Sequence, residues 1–140
     1  MTVHTKIPHG TTAWFEMVGT VMAEAARRAE LPADLTVSLV ERYTDGVVLA
    51  DGLVQGIRFD LVGGKPSYRV GARADEQADV TIEVTAAVAR ELNALRSTDP
   101  RYRKVLDRFL GTGEMRMHGD ISRLGDWLAM VHDPIVDRTG

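Results

Sequence analysis

A carboxylate held in an apolar pocket can run acid–base chemistry, because desolvation lifts its pKa toward neutrality. Asp60, Asp79, Glu114 and Asp120 are the candidates for that role in this sequence. Asp79 and Asp120 also stand where an acidic side chain caps the helix or turn that follows, which is the simpler account of both. The four histidines are His4, His9, His118 and His132. None forms a His-x-x-x-His or His-x-His pair with a carboxylate at ligand spacing, so no metal site is expected. His118 shares the outward side of its strand with Glu114 and Arg116. His132, beside Asp133, complements a helix C-terminus. Nucleophilic chemistry has little support. There is no cysteine and no Gly-x-Ser-x-Gly elbow, and Ser38, Ser67, Ser97 and Ser122 stand without a flanking base. The glycines from Gly52 to Gly64 do not open a helix, as a phosphate-cradling loop does. Arg101, Arg103, Lys104 and Arg108 share one helix, and Arg90 and Arg96 join them if neighbouring helices pack side by side. They read as a solvated face, or as a surface for a phosphate, an anionic membrane or an acidic partner.

The elements that position these groups follow from composition and periodicity. The chain has 140 residues, 44% hydrophobic and 26% charged, the make-up of one folded domain with its own core. Residues 1–12 are polar, carry Pro8 and Gly10, and read as a flexible leader; residues 13–140 form the domain. A net charge of -3 argues against a nucleic-acid partner, which a basic stripe would announce. The absence of cysteine excludes disulfides and thiolate chemistry. MTVHTKIPHG has no apolar core of signal-peptide length, and no apolar run approaches the roughly 20 residues of a transmembrane segment. A cytoplasmic protein is expected.

From Ala13 to Glu30 the apolar residues Trp14, Val18, Val21, Met22, Ala25 and Ala29 recur at helical spacing. Thr11 or Thr12 serves as N-cap, and Pro32 closes the segment. The period then changes to two. Thr36–Leu39, Val47–Leu49, Ile57–Leu61, Ser67–Val70 and Val80–Val84 alternate between turns at Asp45-Gly46, Asp51-Gly52 and Gly63-Gly64. Val37, Leu39, Ile57, Phe59, Leu61, Tyr68, Val70, Val80, Ile82 and Val84 make one greasy face. Thr36, Ser38, Arg58, Asp60, Arg69, Thr81 and Glu83 make a wet one, where the charges pair across strands. Thr85 caps a helix over 86–96, Asp99-Pro100 opens a second ending at Gly111-Thr112-Gly113, and Glu114–His118 alternates as a last strand. A final helix carries Leu124, Trp127, Leu128 and Val131 on one stripe and stops near Pro134.

Ala78-Asp79-Val80-Thr81-Ile82, followed directly by a helix, resembles the sterol carrier protein 2 (SCP-2) domain family. So does Gly113-Glu114-Met115-Arg116-Met117-His118-Gly119-Asp120, similar to that family's strand before its closing helix. Ile57–Leu61, Gly63-Gly64 and Ser67–Val70 are similar to its glycine-linked strand pair. The match runs over roughly residues 50 to 132. The stretch from Arg96 to Gly113 is longer than the helix-loop separating the two signatures in the family, a departure that bears on the shape and size of any pocket. The resemblance implies an α/β (α+β) fold, with a mixed, largely antiparallel sheet of about five strands covered on one face by helices. It also implies an apolar tunnel between the layers that holds a sterol, fatty acid or acyl-CoA without covalent chemistry, metal or other cofactor.

The expected walls of that pocket are Phe59, Tyr68, Leu92, Phe109, Met115, Met117, Leu124, Trp127 and Leu128. Met17, Met22 and Met130 supply further adaptable thioether surface, though methionines at such spacing also simply fill core. Trp14 and Trp127 read as core anchors. Two other functions stay open. One is a small cofactor-independent isomerase or hydratase, which needs a carboxylate or His118 inside the pocket. The other is an interaction module whose open groove receives a partner helix.

Overall fold

The computed structural model describes residues 5–49 and 51–140. Helix α1 spans Thr12–Arg28, and the Thr11 hydroxyl accepts from the Trp14 N–H at 3.1 Å to cap it. Four strands follow: β1 (Val37–Tyr43), β2 (Val54–Val62), β3 (Lys65–Ala72) and β4 (Val80–Val84). Helix α2 (Ala86–Leu92) is capped by Thr85, and α3 (Pro100–Thr112) is capped by Asp99 with Pro100 in its first turn. Strand β5 (Met115–His118) precedes two 3-10 turns, Ile121–Leu124 and Asp126–Met130, and a short helix α4 (His132–Asp137).

The strands form one sheet in the order β3-β2-β1-β4-β5. The β1 and β4 strands run parallel; the other three pairings are antiparallel. This is the mixed, largely antiparallel five-stranded sheet that the SCP-2 resemblance implies. Its greasy face carries Val37, Leu39, Phe59, Leu61, Val80 and Val84, all buried against Phe15, Val18 and Met22 of α1 and against Leu124 and Trp127. Each large apolar side chain buried in this way contributes about 1.5–3 kcal/mol.

Gly119 shows why two separated sequence motifs belong together. Its φ is +90°, and a β-carbon there would lie 2.1 Å from the Asp79 carbonyl oxygen. The end of β5 can therefore close on the start of β4 only with glycine at this position.

Several expectations are revised. Val47–Leu49 forms a single bridge, Val48 to Val54, rather than a strand, and Val47 and Val48 are exposed. The helix expected from Ile121 through Val131 is broken into 3-10 turns at Gly125, whose φ of +110° lies outside the helical region. A regular helix resumes at His132 and runs past Pro134, which sits in the first turn, where a missing N–H costs nothing. The expected leader is tied down from within. Ile7 and Thr139 form a parallel bridge, the Ile7 N–H donates to the Arg138 carbonyl at 2.8 Å, and His9 packs on Trp14. His4 and the residues before it lie outside the described residues.

The second face of the sheet is not simply wet. Val40 and Thr81 are buried there, and Glu76, from the loop between β3 and β4, is only 3% exposed. Arg58 and Arg69 stand directly opposite one another on β2 and β3, a like-charge pairing that is unfavourable alone. Glu76 lies between them, 3.0 Å from the Arg58 guanidinium and in contact with that of Arg69. Arg58 also pairs with Asp60 along its own strand at 3.2 Å, and Arg42 pairs with Glu83 across strands at 3.1 Å.

Candidate functional site

A cavity of about 220 Å³ lies between the greasy face of the sheet and the helices. The sheet supplies Leu39, Glu41, Ile57, Ile82, Val84 and Met115; α1 supplies Trp14, Phe15, Val18 and Met22. The other walls are Ala89, Leu92 and Asn93 at α2, Tyr102 and Leu106 on α3, and Ile121, Leu128, Val131, His132 and Ile135 from the C-terminal turns and α4.

Most of this lining is aliphatic or aromatic, as a site for an apolar ligand requires. Four polar side chains interrupt it. Strand alternation puts Glu41 on the same face as Val37, Leu39 and Tyr43, with Ile57 and Ile82 beside it on the neighbouring strands. Among the described residues its carboxyl has neither a hydrogen-bond nor an ion-pair partner. Burial among protein atoms pushes its pKa up from the ordinary 4.5 to about 7.

Tyr102 is pushed up as well, first by burial and then by the nearby Asp133 and Glu41 carboxyls. Its ring centroid lies 4.5 Å from that of His132. The His132 Nε2 is 2.7 Å from the Leu95 carbonyl oxygen. Since a carbonyl only accepts, Nε2 carries the proton, and in the neutral ring Nδ1 is left as an acceptor. Asn93 donates its amide N–H to the Ala89 carbonyl at 2.8 Å, leaving its own side-chain oxygen free to accept.

Behind Glu41, on the same strand, Tyr43 meets the His9 ring at 3.1 Å. Burial, and secondarily Arg90, lowers the His9 pKa to about 4. Burial raises the Tyr43 phenol well above its ordinary value, with Glu41 acting in the same direction. His9, Arg90, Asn93 and Lys6 also line a separate cleft at the surface.

The residues expected to form the pocket separate into three groups. Leu92, Met115 and Leu128 line the cavity. Phe59, Phe109, Leu124 and Trp127 are buried but stand outside its lining, and Trp127 borders a separate groove beside α1. Trp127 lies 5.5 Å from Phe59 and donates its indole N–H to the Leu124 carbonyl at 2.6 Å. Tyr68 and Met117 are exposed, at 36% and 38%. Tyr68 lies over Gly19 of α1, near the outer margin of the sheet, and its hydroxyl is 3.2 Å from that of Thr20. Met117 faces the same way as Met115, but lies on an edge strand beyond the cover of the helices.

The four carboxylates singled out for acid–base chemistry all stand outside the cavity. Asp60 pairs with Arg58, and Asp120 caps the first 3-10 turn through the Ser122 N–H at 3.0 Å. Asp79 caps nothing downstream; it accepts from the Ser38 N–H at 3.0 Å and joins β1 to β4. Glu114 is exposed. His118 is on the outer face, 2.7 Å from Glu83. His132 begins α4 rather than ending a helix, which carries it to the cavity.

The basic residues of α3 are exposed, and three of the four are paired: Arg101 with Asp99, Arg103 with Asp107 and Arg108 with Glu91. No group of three histidines, aspartates or glutamates among the described residues is arranged to hold a metal ion. No helix among them is long and apolar enough to cross a membrane.

No family model and no curated protein matches this sequence. Solved structures do. A crystal structure of sterol carrier protein 2 is 17% identical with a TM-score of 0.52, covering 94% of this chain and 99% of that one. A conserved hypothetical protein from Thermus thermophilus, described as possibly a sterol carrier protein, is 17% identical with a TM-score of 0.47, covering 100% of this chain and 97% of that one. A stereoselective inverting sec-alkylsulfatase from Pseudomonas sp. is 22% identical with a TM-score of 0.41, covering 78% of this chain. This chain spans only 14% of that enzyme. The chain thus has an SCP-2-like fold.

Proposed function

We propose that this protein binds a hydrophobic small molecule, non-covalently, in the cavity beneath its sheet. The observation that carries this reading is the apolar cavity of about 220 Å³ itself. Protein interiors close to crystal-like density, and a void of this size forfeits packing that a folded core would otherwise gain. A ligand occupying it recovers that loss. At about 25 cal/mol per Å², covering roughly 200 Å² of apolar surface yields on the order of 5 kcal/mol before ordering costs. The SCP-2-like architecture supports the same reading, with sterols, fatty acids and acyl-CoA as the classes implied by the resemblance.

The volume narrows that range. Pockets for drug-sized ligands occupy about 300–1,000 Å³, so this cavity takes a short chain, and a sterol requires the helices to move apart. Leu92, Met115 and Leu128 form the wall, and we assign the binding to the cytoplasm, in keeping with a chain that has no cysteine. Native mass spectrometry of the purified protein, with displacement of a small uncharged fluorescent apolar probe, tests the reading. A bound adduct or displacement by an apolar ligand is expected. A clean unliganded mass with no displacement by any lipid class rejects it.

A second reading rests on Glu41. A carboxyl with a pKa near 7, in the same cavity as Tyr102 and His132, fits the needs of a cofactor-independent proton transfer on an apolar substrate. It predicts exchange of an acidic substrate C–H with deuterated solvent, lost in Glu41→Gln. A panel of apolar carbonyl compounds bound but never exchanged would leave only the carrier.

A further inference from the structure

The polar part of the cavity wall is unevenly equipped. Glu41 offers carboxylate oxygens, Asn93 a side-chain carbonyl with one of its two amide N–H groups committed to Ala89, and His132 its Nδ1, because Nε2 is committed to Leu95. Acceptors predominate; the donors beside them are the Tyr102 hydroxyl and the second N–H of the Asn93 amide, both uncharged. Among the described residues, no arginine or lysine lines this cavity. The basic groups Lys6 and Arg90 face a separate surface cleft instead.

The geometry points to a ligand whose head group donates hydrogen bonds to Glu41, an ammonium or a hydroxyl on a short apolar chain, and to discrimination against a carboxylate head. This inference rests on the cavity being a binding site, and it names the class of molecule that site takes. A buried carboxylate is costly when it stands alone and much less so when a donor reaches it. Glu41 lines the cavity with no donor bonded to it among the described residues, and desolvation raises its pKa. A carboxylate ligand would bring a second negative charge into the same low-dielectric space, where like charges repel strongly.

The groups that face Glu41 do not change this sign. Tyr43 on its own strand and Tyr102 on α3 are neutral phenols with raised pKa values, α1 contributes only apolar residues, and Ile57 and Ile82 flank it on β2 and β4. Arg90 on α2 acts on Tyr43 and His9, outside the lining, and His132 and the neighbouring Asp133 complete the α4 side. Chain length follows from volume. A cavity of about 150 Å³ holds benzene, so 220 Å³ takes roughly eight or nine carbons.

The test is calorimetric titration of the whole protein at pH 8.5 with octylamine, 1-octanol and octanoate. Octylamine and octanol are expected to bind at one per chain, with octanoate about tenfold weaker or more, the scale of one lost charge-assisted contact. In Glu41→Gln the neutral amide both donates and accepts, so the gap between octylamine and octanoate is expected to close to about threefold. Octanoate binding the wild-type protein as tightly as octylamine would overturn the inference while leaving the cavity as a binding site. An unchanged gap in Glu41→Gln would overturn the role given to this residue. Failure of all three ligands would remove the binding site and the inference with it.

Discussion

Glu41 and Glu76 sit on opposite faces of one sheet, and the fold treats them in opposite ways. Around Glu76 burial pushes the pKa up, but the Arg73 backbone N–H and the Arg58 and Arg69 guanidinium groups more than reverse that and hold it below the ordinary value. Around Glu41 there is burial and no compensating donor among the described residues, so its pKa rises to about 7. One carboxylate completes a structure that would otherwise set two arginines against each other. The other is left uncompensated where the core is also left unfilled. An unmet charge and an unfilled volume at the same place suit a site awaiting a molecule, whereas a met charge on a packed face suits a structural role.

The largest effect is expected at Glu76. Glu76→Gln removes the counter-charge between facing arginines, and chemical denaturation is expected to show a loss of roughly 2–3 kcal/mol, below the usual cost of breaking a buried pair because Arg69 reaches water. Loss of less than about 0.5 kcal/mol, the scale of a surface pair, would place Glu76 on a par with the exposed ion pairs of α3. No change in ligand binding is expected.

Glu41→Gln is expected to act with the opposite sign. The folded carboxyl holds its proton up to about pH 7 and the unfolded one only to about 4.5. Stability therefore falls as pH rises between those values and stays lower above them. At pH 8 the variant is expected to be more stable than wild type by about 1–3 kcal/mol, since each tenfold change in proton affinity is worth about 1.4 kcal/mol. The gain is expected to vanish below pH 4.5. Equal stability of the two proteins at pH 8 would mean that Glu41 is solvated.

His9 slopes the other way and gives the smallest effect. Its lowered pKa of about 4 means the fold keeps it neutral while the unfolded chain takes up a proton below about 6.5. Stability thus declines as pH falls through that window, partly masking Glu41 in the wild type. His9→Gln is expected to remove about 1 kcal/mol of acid sensitivity, a figure reduced because the ring is only half-buried, and to expose the Glu41 slope. Thermal melts between pH 4 and 8 check both.

Much of the architecture is readable from period alone. Ile57–Leu61 and Val80–Val84 alternate without interruption, and caps at Thr11, Thr85 and Asp99 mark real helix starts. The C-terminal turns are not readable in this way, because a stripe of Leu124, Trp127 and Val131 fits a helix equally well, and only the backbone angle at Gly125 decides otherwise. Glu76 is invisible in the sequence because its arginines come from two strands, and only the folded loop brings it between them.

Glu41 escapes notice for a simpler reason. The apolar alternation of the first strand stops at Leu39 because the next inward residue is charged. Carrying the same period through Val37, Leu39, Glu41 and Tyr43 places a carboxylate on the greasy face. That polar break in an apolar alternation is the available signal. Of the expected walls, Leu92, Met115 and Leu128 line the cavity, while Phe59 and Trp127 meet each other outside it. Side-chain period tells which face a residue occupies, but not where that face is left unfilled.

The most direct measurement is the titration of the Glu41 carboxyl carbon by NMR, without ligand and with octylamine. A pKa near 7 in the free protein, falling to the ordinary carboxylate range or lower once the amine is bound, is the expected result. A free-protein value near 4.5 that does not move on adding the amine would contradict a cavity built around an unpaired acid.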